Sequence, residues 1–406
     1  MRHIIVGVGA AGITAAKTIR KQDHDADIVM VSKDDHVHSR CMLHRYISGE
    51  RDSEQLSFVP DNFFEENNIY WIPGKAVTGI QDKENSLLLE DGTKLIYDKL
   101  LIATGADSVI PPVGDLRNAK NVYGLRNLED AVNIRTMAEG AREILIVGSG
   151  LVGMDAAYAL LEQNKKVTVV EMADRILPIQ LDQTAGDAYK KMFEKEGCRF
   201  IVSRKASETE MDERGMITSV ILDDGTKITC DMVIVAAGVR SALGCVEGSK
   251  IETDRFIKVD QNMKTNCDNI YAAGDVAGLS GIWPNAMKQG ETAAYNMCGV
   301  TMEYQDRYAM KNTMNFYGLA TLSLGRGVAE EGDEVIICHD SKNYKKAILR
   351  DGRLDSILLQ GDMDYSGVYQ YLIKNQIDLS DKKDKIFQLS FADFYGINED
   401  GQYSYQ

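Results

Sequence analysis

Two segments of this chain share one grammar: a short apolar strand, a glycine loop and the start of a helix. The first is HIIVGVGAAGITAA, with Gly7, Gly9 and Gly12 in GxGxxG spacing around Ala10 and Ala11. The second is EILIVGSGLVGMDAA, with Gly148, Gly150 and Gly153 in the same spacing around Leu151 and Val152. In such a loop the first glycine permits a tight turn. The second lets the backbone approach a pyrophosphate, and the third lets helix and strand pack closely. The helix N-terminus then presents free amides and a partial positive charge to phosphate. A second strand follows each helix, at 28–31 and 167–170, and completes a βαβ unit. The copies are too far apart for a solenoid repeat. They predict an α/β chain with two Rossmann-like dinucleotide-binding domains.

The duplication reaches beyond the glycines. LLLEDGTKLIYDKLLIATGA (87–106) reads as a hairpin turning at Asp91-Gly92, followed by a buried strand; SVILDDGTKITCDMVIVAAGV (219–239) repeats this with a turn at Asp224-Gly225. Pro111-Pro112 marks an exit from the first domain. After about 311 the chain changes character, with an Asp351-Gly352 turn and a helical stretch near 365–375. The expected organisation is a discontinuous first domain at 1–110 and 247–311. A second domain lies at 111–246, and a small α+β C-terminal domain at 312–406.

Composition narrows the rest. The chain has 406 residues, more than one core accommodates. No stretch approaches the ~20 apolar residues of a membrane helix, and the N-terminus lacks the pattern of a signal peptide. A cytoplasmic location without membrane attachment is expected. A net charge of −15 weighs against nucleic acid, which needs a basic face, and reads as solubility. Seven scattered cysteines with no CxxC do not form a disulfide framework.

Glu171 ends the second strand of the second βαβ unit. A carboxylate there accepts ribose hydroxyls and repels a 2′-phosphate, which favours NADH over NADPH; nearby Arg175 leaves that preference open. In TNCDNIYAAGDVA (265–277), a strand delivers Gly274 and Asp275 to a position where the aspartate accepts from a sugar-like hydroxyl.

These motifs, with Ala103-Thr104-Gly105, resemble the FAD- and NAD-linked pyridine nucleotide-disulfide reductase superfamily over essentially all of 1–310. The resemblance implies that Gly7, Gly9, Ala10, Ala11 and Gly12 hold the FAD diphosphate. It puts Asp275 at the ribityl chain, with Thr104, Gly105 and Gly274 nearby, and Arg40, Val77 and Ala286 in the same site. Many relatives end the second strand with a glutamate for the FAD ribose. Here Ser32 and Lys33 stand at that point, with Asp34 an alternative. NAD(P)H would lie on Gly148, Gly150, Leu151, Val152, Gly153, Asp155, Glu171 and Gly238. Asp155 stands where many relatives carry glutamate near the nicotinamide. The segment from Trp283 to Gly290 resembles the last helix under the flavin, whose N-terminus stabilises the reduced, anionic flavin.

The dithiol spacings of the glutathione and thioredoxin reductases, CxxxxC and CxxC, are absent. HVHSRCMLHRYISGE (36–50) resembles the Tyr-x-Arg-x-x-Leu segment of rubredoxin reductases and of the FAD domain of assimilatory nitrite reductase. Arg40 and Leu43 match, and His38 replaces the tyrosine. Cys41 also aligns with the single redox cysteine of coenzyme-A-disulfide reductases and NADH oxidases. The tail at 344–380 resembles the small C-terminal domain of the rubredoxin and nitrite reductase group.

The expected activity is therefore an FAD-dependent NAD(P)H oxidoreductase that hands electrons to a small carrier such as rubredoxin. The alternative acts on a small disulfide, persulfide, peroxide or oxygen through Cys41. A third reading is a flavin-bound assembly subunit with little turnover. Cys41 beside Arg40 and three histidines would have a lowered pKa; as a buried small hydrophobe it would have no redox role. His36, His38 and His44 with Arg40 and Arg45 form either a basic docking patch or a flavin-facing loop. A metal held by His36, His38, Cys41 and His44 matches no strong spacing, and none is expected. Monomer and homodimer both remain open.

Overall fold

The computed structural model describes residues 1–305 and 311–405. The expected junction between the first and last domains borders 306–310, outside the described residues, as is Gln406. The chain forms two compact units: 1–172 with 197–305, and 173–196 with the described part of 306–406.

The first unit is α/β, with two five-stranded parallel sheets built alike. In one, Arg2–Val6 lies between Asp27–Val31 and Lys99–Ile102, with Ile69–Ile72 and Ile270–Ala272 outside them. In the other, Glu143–Val147 lies between Lys166–Val170 and Met232–Val235, with Arg199–Ile201 and Val122–Tyr123 outside. Side chains alternate between sheet faces. In the first sheet Ile5, Met30 and Leu101 enter one apolar cluster, while Ile4, Val29 and Leu100 enter another. Covering both faces explains why these strands read as unbroken apolar runs. The predicted hairpins are present as Ser86–Leu89 with Lys94–Ile96, and Ile217–Leu222 with Lys227–Thr229. Each belongs to a small three-stranded sheet.

In each sheet the connections leave the central strand in opposite directions. This creates a crevice at that strand's carboxyl end. The two glycine loops sit in those crevices.

The second unit is α+β. Its antiparallel sheet runs Lys311–Phe316, Leu319–Leu324, Arg353–Gln360, Tyr344–Arg350, Glu334–His339. The helix Ser366–Asn375 buries Val368, Tyr369, Leu372 and Ile373 in this unit's core. The sequence expectation assigned all of 111–246 to the nucleotide-binding domain; the segment 173–196 instead groups with the C-terminal residues. The reason is aromatic packing. The helix Gln183–Lys195 buries Tyr189 and Phe193, and both rings pack edge-on against Phe316. Tyr189 also donates its hydroxyl to Leu319 O.

Candidate functional site

The first glycine loop is shaped by its contacts with the neighbouring strand. Gly7 has φ +111°, and a Cβ there would lie 2.3 Å from Ala103 O. A Cβ on Gly12 would lie 2.0 Å from Gly7 O, whereas nothing lies within 4 Å of one on Gly9. So the outer two glycines permit close packing, and the middle one leaves the loop open on its outer side. The second loop repeats this. Gly148 has φ +104° and would place a Cβ 2.4 Å from Ala236 O, Gly153 would place one 2.1 Å from Gly148 O, and Gly150 is open.

A cavity of about 520 Å³ lies over the first loop. Gly7, Gly9, Ala10, Ala11, Ser32, Lys33, Arg40, Cys41, Val77, Thr104, Gly105, Gly274, Asp275 and Ala286 all line it. Gly12 does not; it lies beneath, against Gly7. The size is in the range of small-molecule and cofactor sites, and the open cradle at Gly9 suits a diphosphate.

Two ion pairs border the cavity. Arg40 pairs with Asp34 at 3.0 Å and donates to Arg126 O and to Asn127. Arg126 pairs with Asp275 and donates from Nε to Ala106 O at 3.0 Å. Sequence reasoning missed Arg126 and Asn127. The available signal was the helix start NLED, where Asn127 and Asp130 form a capping box, which fixes the residue just before it. Ser32 is buried, and its hydroxyl is engaged: it donates to Asp34 O at 2.6 Å and accepts from Trp71 Nε1 at 2.9 Å. Gln289, on the helix Trp283–Met297, accepts from Gly274 N–H at 2.8 Å and fixes the residue before Asp275.

The structure places Cys41 on the cavity wall, exposed. Its thiol lines the cavity, where desolvation pushes its pKa up, and the Asp155 carboxylate adds to the rise; Arg126 offsets this only partly. Arg40, the expected activator, is spent on Asp34 and Asn127. The basic patch also dissolves. His38 is buried and its pKa held down by burial and by Arg40. His44 is held down to about 4 by burial and by Arg45. His36 pairs with Asp35, and Arg45 with Glu50. The segment therefore presents no cluster of free cations.

Around the second loop, Glu171 accepts from both the N–H and the hydroxyl of Ser149 at 2.8 Å. Its carboxylate is thus fixed beside the glycines. Asp155 sits on the helix Leu151–Glu162, 3.7 Å from His44 Nδ1, and burial pushes it up to about 7. Gly238 has φ +104° at the end of the strand Met232–Val235 and its turn. No helix among the described residues is long and apolar enough to cross a membrane.

Residues 1–290 match the family described as pyridine nucleotide-disulphide oxidoreductase. Among relatives, the chain is 30% identical to the NADH-dependent phenylglyoxylate dehydrogenase subunit epsilon of Aromatoleum evansii, over 93% of each chain. It is 32% identical to a rubredoxin-NAD(+) reductase of Alcanivorax borkumensis, over 68% of this chain and 72% of that one. A solved NADH:rubredoxin oxidoreductase from Clostridium acetobutylicum shares the fold, with a TM-score of 0.78 at 24% identity, over 95% of this chain and 99% of that one. With its paired glycine cradles, this chain belongs to the pyridine nucleotide-disulphide oxidoreductases, whose cofactors are FAD and a nicotinamide nucleotide.

Proposed function

We propose that this chain oxidises NADH and delivers the electrons, by way of FAD, to a small one-electron carrier protein such as rubredoxin. FAD, when bound, takes two electrons from the nicotinamide and releases them one at a time. The balance is one NADH giving one NAD⁺, one proton and two reduced carriers.

In this reading the first sheet carries FAD. Gly7, Gly9 and the amides of Ala10 and Ala11 receive the diphosphate, and Asp275 receives a ribityl hydroxyl. Arg126 orients Asp275 and limits its charge. The second sheet carries NADH. Gly148, Gly150 and the start of the helix Leu151–Glu162 receive the diphosphate, while Glu171 receives the ribose and disfavours a 2′-phosphate. Asp155, from that same helix, lies near Cys41 and the nicotinamide end.

The choice of acceptor rests on the likeness to a rubredoxin-NAD(+) reductase and on the absence of a dithiol spacing in the sequence, and the cavity thiols agree with it. The thiols that line the cavity, Cys41 and Cys245, are both pushed up by burial, Cys245 to about 11. Neither of these two is in a disulfide. A disulfide or persulfide reductase needs a thiolate as its nucleophile, and here burial works against one.

The test is anaerobic NADH titration of the yellow protein, followed by rubredoxin, a disulfide, a persulfide, peroxide and oxygen as acceptors, in wild type and Cys41→Ser. Carrier reduction that survives the substitution supports the proposal. Turnover confined to a small sulfur or oxygen substrate, and abolished in Cys41→Ser, refutes it.

A further inference from the structure

The internal duplication supplies a control for the second glycine loop. One backbone bond aligns the two copies. Gly7 N–H donates to Val31 O at 2.7 Å, and Gly148 N–H donates to Val170 O at 2.8 Å. Val8 in the first loop therefore corresponds to Ser149 in the second, and Ser32 corresponds to Glu171. Val8 is 4% exposed and Ser149 is 0% exposed. The first copy shows that this buried position accepts a branched apolar side chain. The fold does not require a hydroxyl there, and burying one is unfavourable unless it is hydrogen-bonded.

The hydroxyl of Ser149 goes to Glu171. Both it and the Ser149 N–H donate to Glu171 Oε2 at 2.8 Å. The first copy has no equivalent, because valine has no side-chain donor and Ser32 gives its hydroxyl to Asp34 O. A backbone N–H alone could hold the carboxylate in either loop. The hydroxyl adds a second charge-assisted bond, stronger than a neutral one. Two donors on one oxygen restrict a side chain whose rotamers must otherwise be frozen when a ligand binds. An ionised carboxylate has about four acceptor sites, of which Ser149 takes two. Arg175, the cation that left the choice of nucleotide open, is engaged within its own segment by Leu181 O, Pro178 O and Asp174.

We propose that Ser149 is a positioning residue that sets nucleotide specificity. Its buried hydroxyl locks Glu171 where the carboxylate accepts the ribose diol of NADH and repels a 2′-phosphate. The proposal rests on the second sheet being the NADH site. A hydroxyl that only supported the loop would affect both nucleotides alike. A lock affects their difference, because a released carboxylate swings away from the phosphate's place and only NADPH carries that phosphate.

The test is calorimetric titration of the flavin-loaded protein with NAD⁺ and NADP⁺, neither of which reduces the flavin. The readout is the ratio of the two dissociation constants, with NAD⁺ the tighter in wild type. Ser149→Thr and Ser149→Val share a shape and differ in the hydroxyl. Threonine is expected to keep the ratio. Valine is expected to lower it about tenfold, the worth of one hydrogen bond to a charged group. Ser149→Ala, which adds no volume, is expected to match valine. Glu171→Gln is expected to lower the ratio as well. If it leaves the ratio unchanged, the assignment of Glu171 to the ribose falls, and the proposal with it. If Glu171→Gln lowers the ratio while Ser149→Val and Ser149→Ala keep it, the NADH site stands and the proposal alone is overturned. Equal weakening of both nucleotides by the valine and alanine variants also overturns it, as does a threonine variant that matches valine.

Discussion

Gly290 is where two helices beside the first sheet touch. A Cβ there would lie 2.1 Å from Ala11 O, 2.8 Å from Ala11 C and 2.9 Å from Ala11 Cα. All three are backbone atoms, so none can swing aside. Carbon contacts relax near ~3.5 Å, and so Gly290→Ala forces the helices Trp283–Met297 and Ala10–Gln22 apart by roughly 1 Å. Overpacking of this kind costs about 1–3 kcal/mol. Alanine's better helix propensity returns about 1 kcal/mol, leaving a net loss of about 0–2 kcal/mol, centred near 1. The cavity should suffer more than the fold. Ala11 lines it, and the neighbouring Gln289 holds Gly274 N–H beside Asp275. Separating these two walls by a comparable energy weakens FAD about fivefold, since each 1.4 kcal/mol is a factor of ten. Flavin per chain after gel filtration and the urea midpoint of the larger unit are the measurements. Gly140→Ala is the control: that glycine ends the helix Leu128–Gly140 with nothing within 4 Å of a Cβ, so neither quantity should fall. Full flavin retention with an unchanged midpoint in Gly290→Ala would refute the reasoning.

Arg126→Ala should raise the dissociation constant for FAD about tenfold, because it strands the partly buried Asp275 carboxylate; equilibrium dialysis that finds wild-type affinity would count against the pairing. Alkylation of Cys41, followed in Cys338→Ser apoprotein, should accelerate only above the ordinary thiol range, since burial and Asp155 hold the proton on; half-maximal rate near neutral pH would contradict this. Asp155 and His44 set opposing pH slopes. The stability gained from protonated Asp155 is full at acid pH and is lost as pH climbs through about 7. The stability from neutral His44 is full above its ordinary value and is lost as pH falls through about 4. Asp155→Asn should leave the His44 slope alone, so that urea midpoints rise more steeply with pH between about 4 and 6.5 than in wild type. Parallel profiles for the two proteins would refute this assignment.

Much of the nucleotide-binding architecture was legible because local chemistry dictates it. Gly7 and Gly148 need positive φ, which a side chain resists, and strands covered on both faces must be apolar throughout. The C-terminal helix near 365–375 was legible for a similar reason, from its local pattern. The segment 173–196 was not. Its helix has an apolar stripe, but a stripe does not name what it packs on; Phe316, more than a hundred residues onward, decides that. Arg126 was hidden for the same reason, because its partner Asp275 arrives from the far end of the unit.

The histidine-rich segment shows the division most clearly. Residues 36–46 by themselves left a basic surface and a reactive Cys41 open beside a flavin-facing loop and an inert thiol. Folding buried His38, half-buried His44, spent Arg40 on Asp34, and brought Asp155 toward the thiol from another helix. Sequence alone determined the two glycine cradles and the parallel sheets, because backbone sterics and burial act over a few residues. Tertiary structure decided the charge and protonation of the site, because electrostatic energy depends on distance and solvent access between groups that the chain order does not bring together.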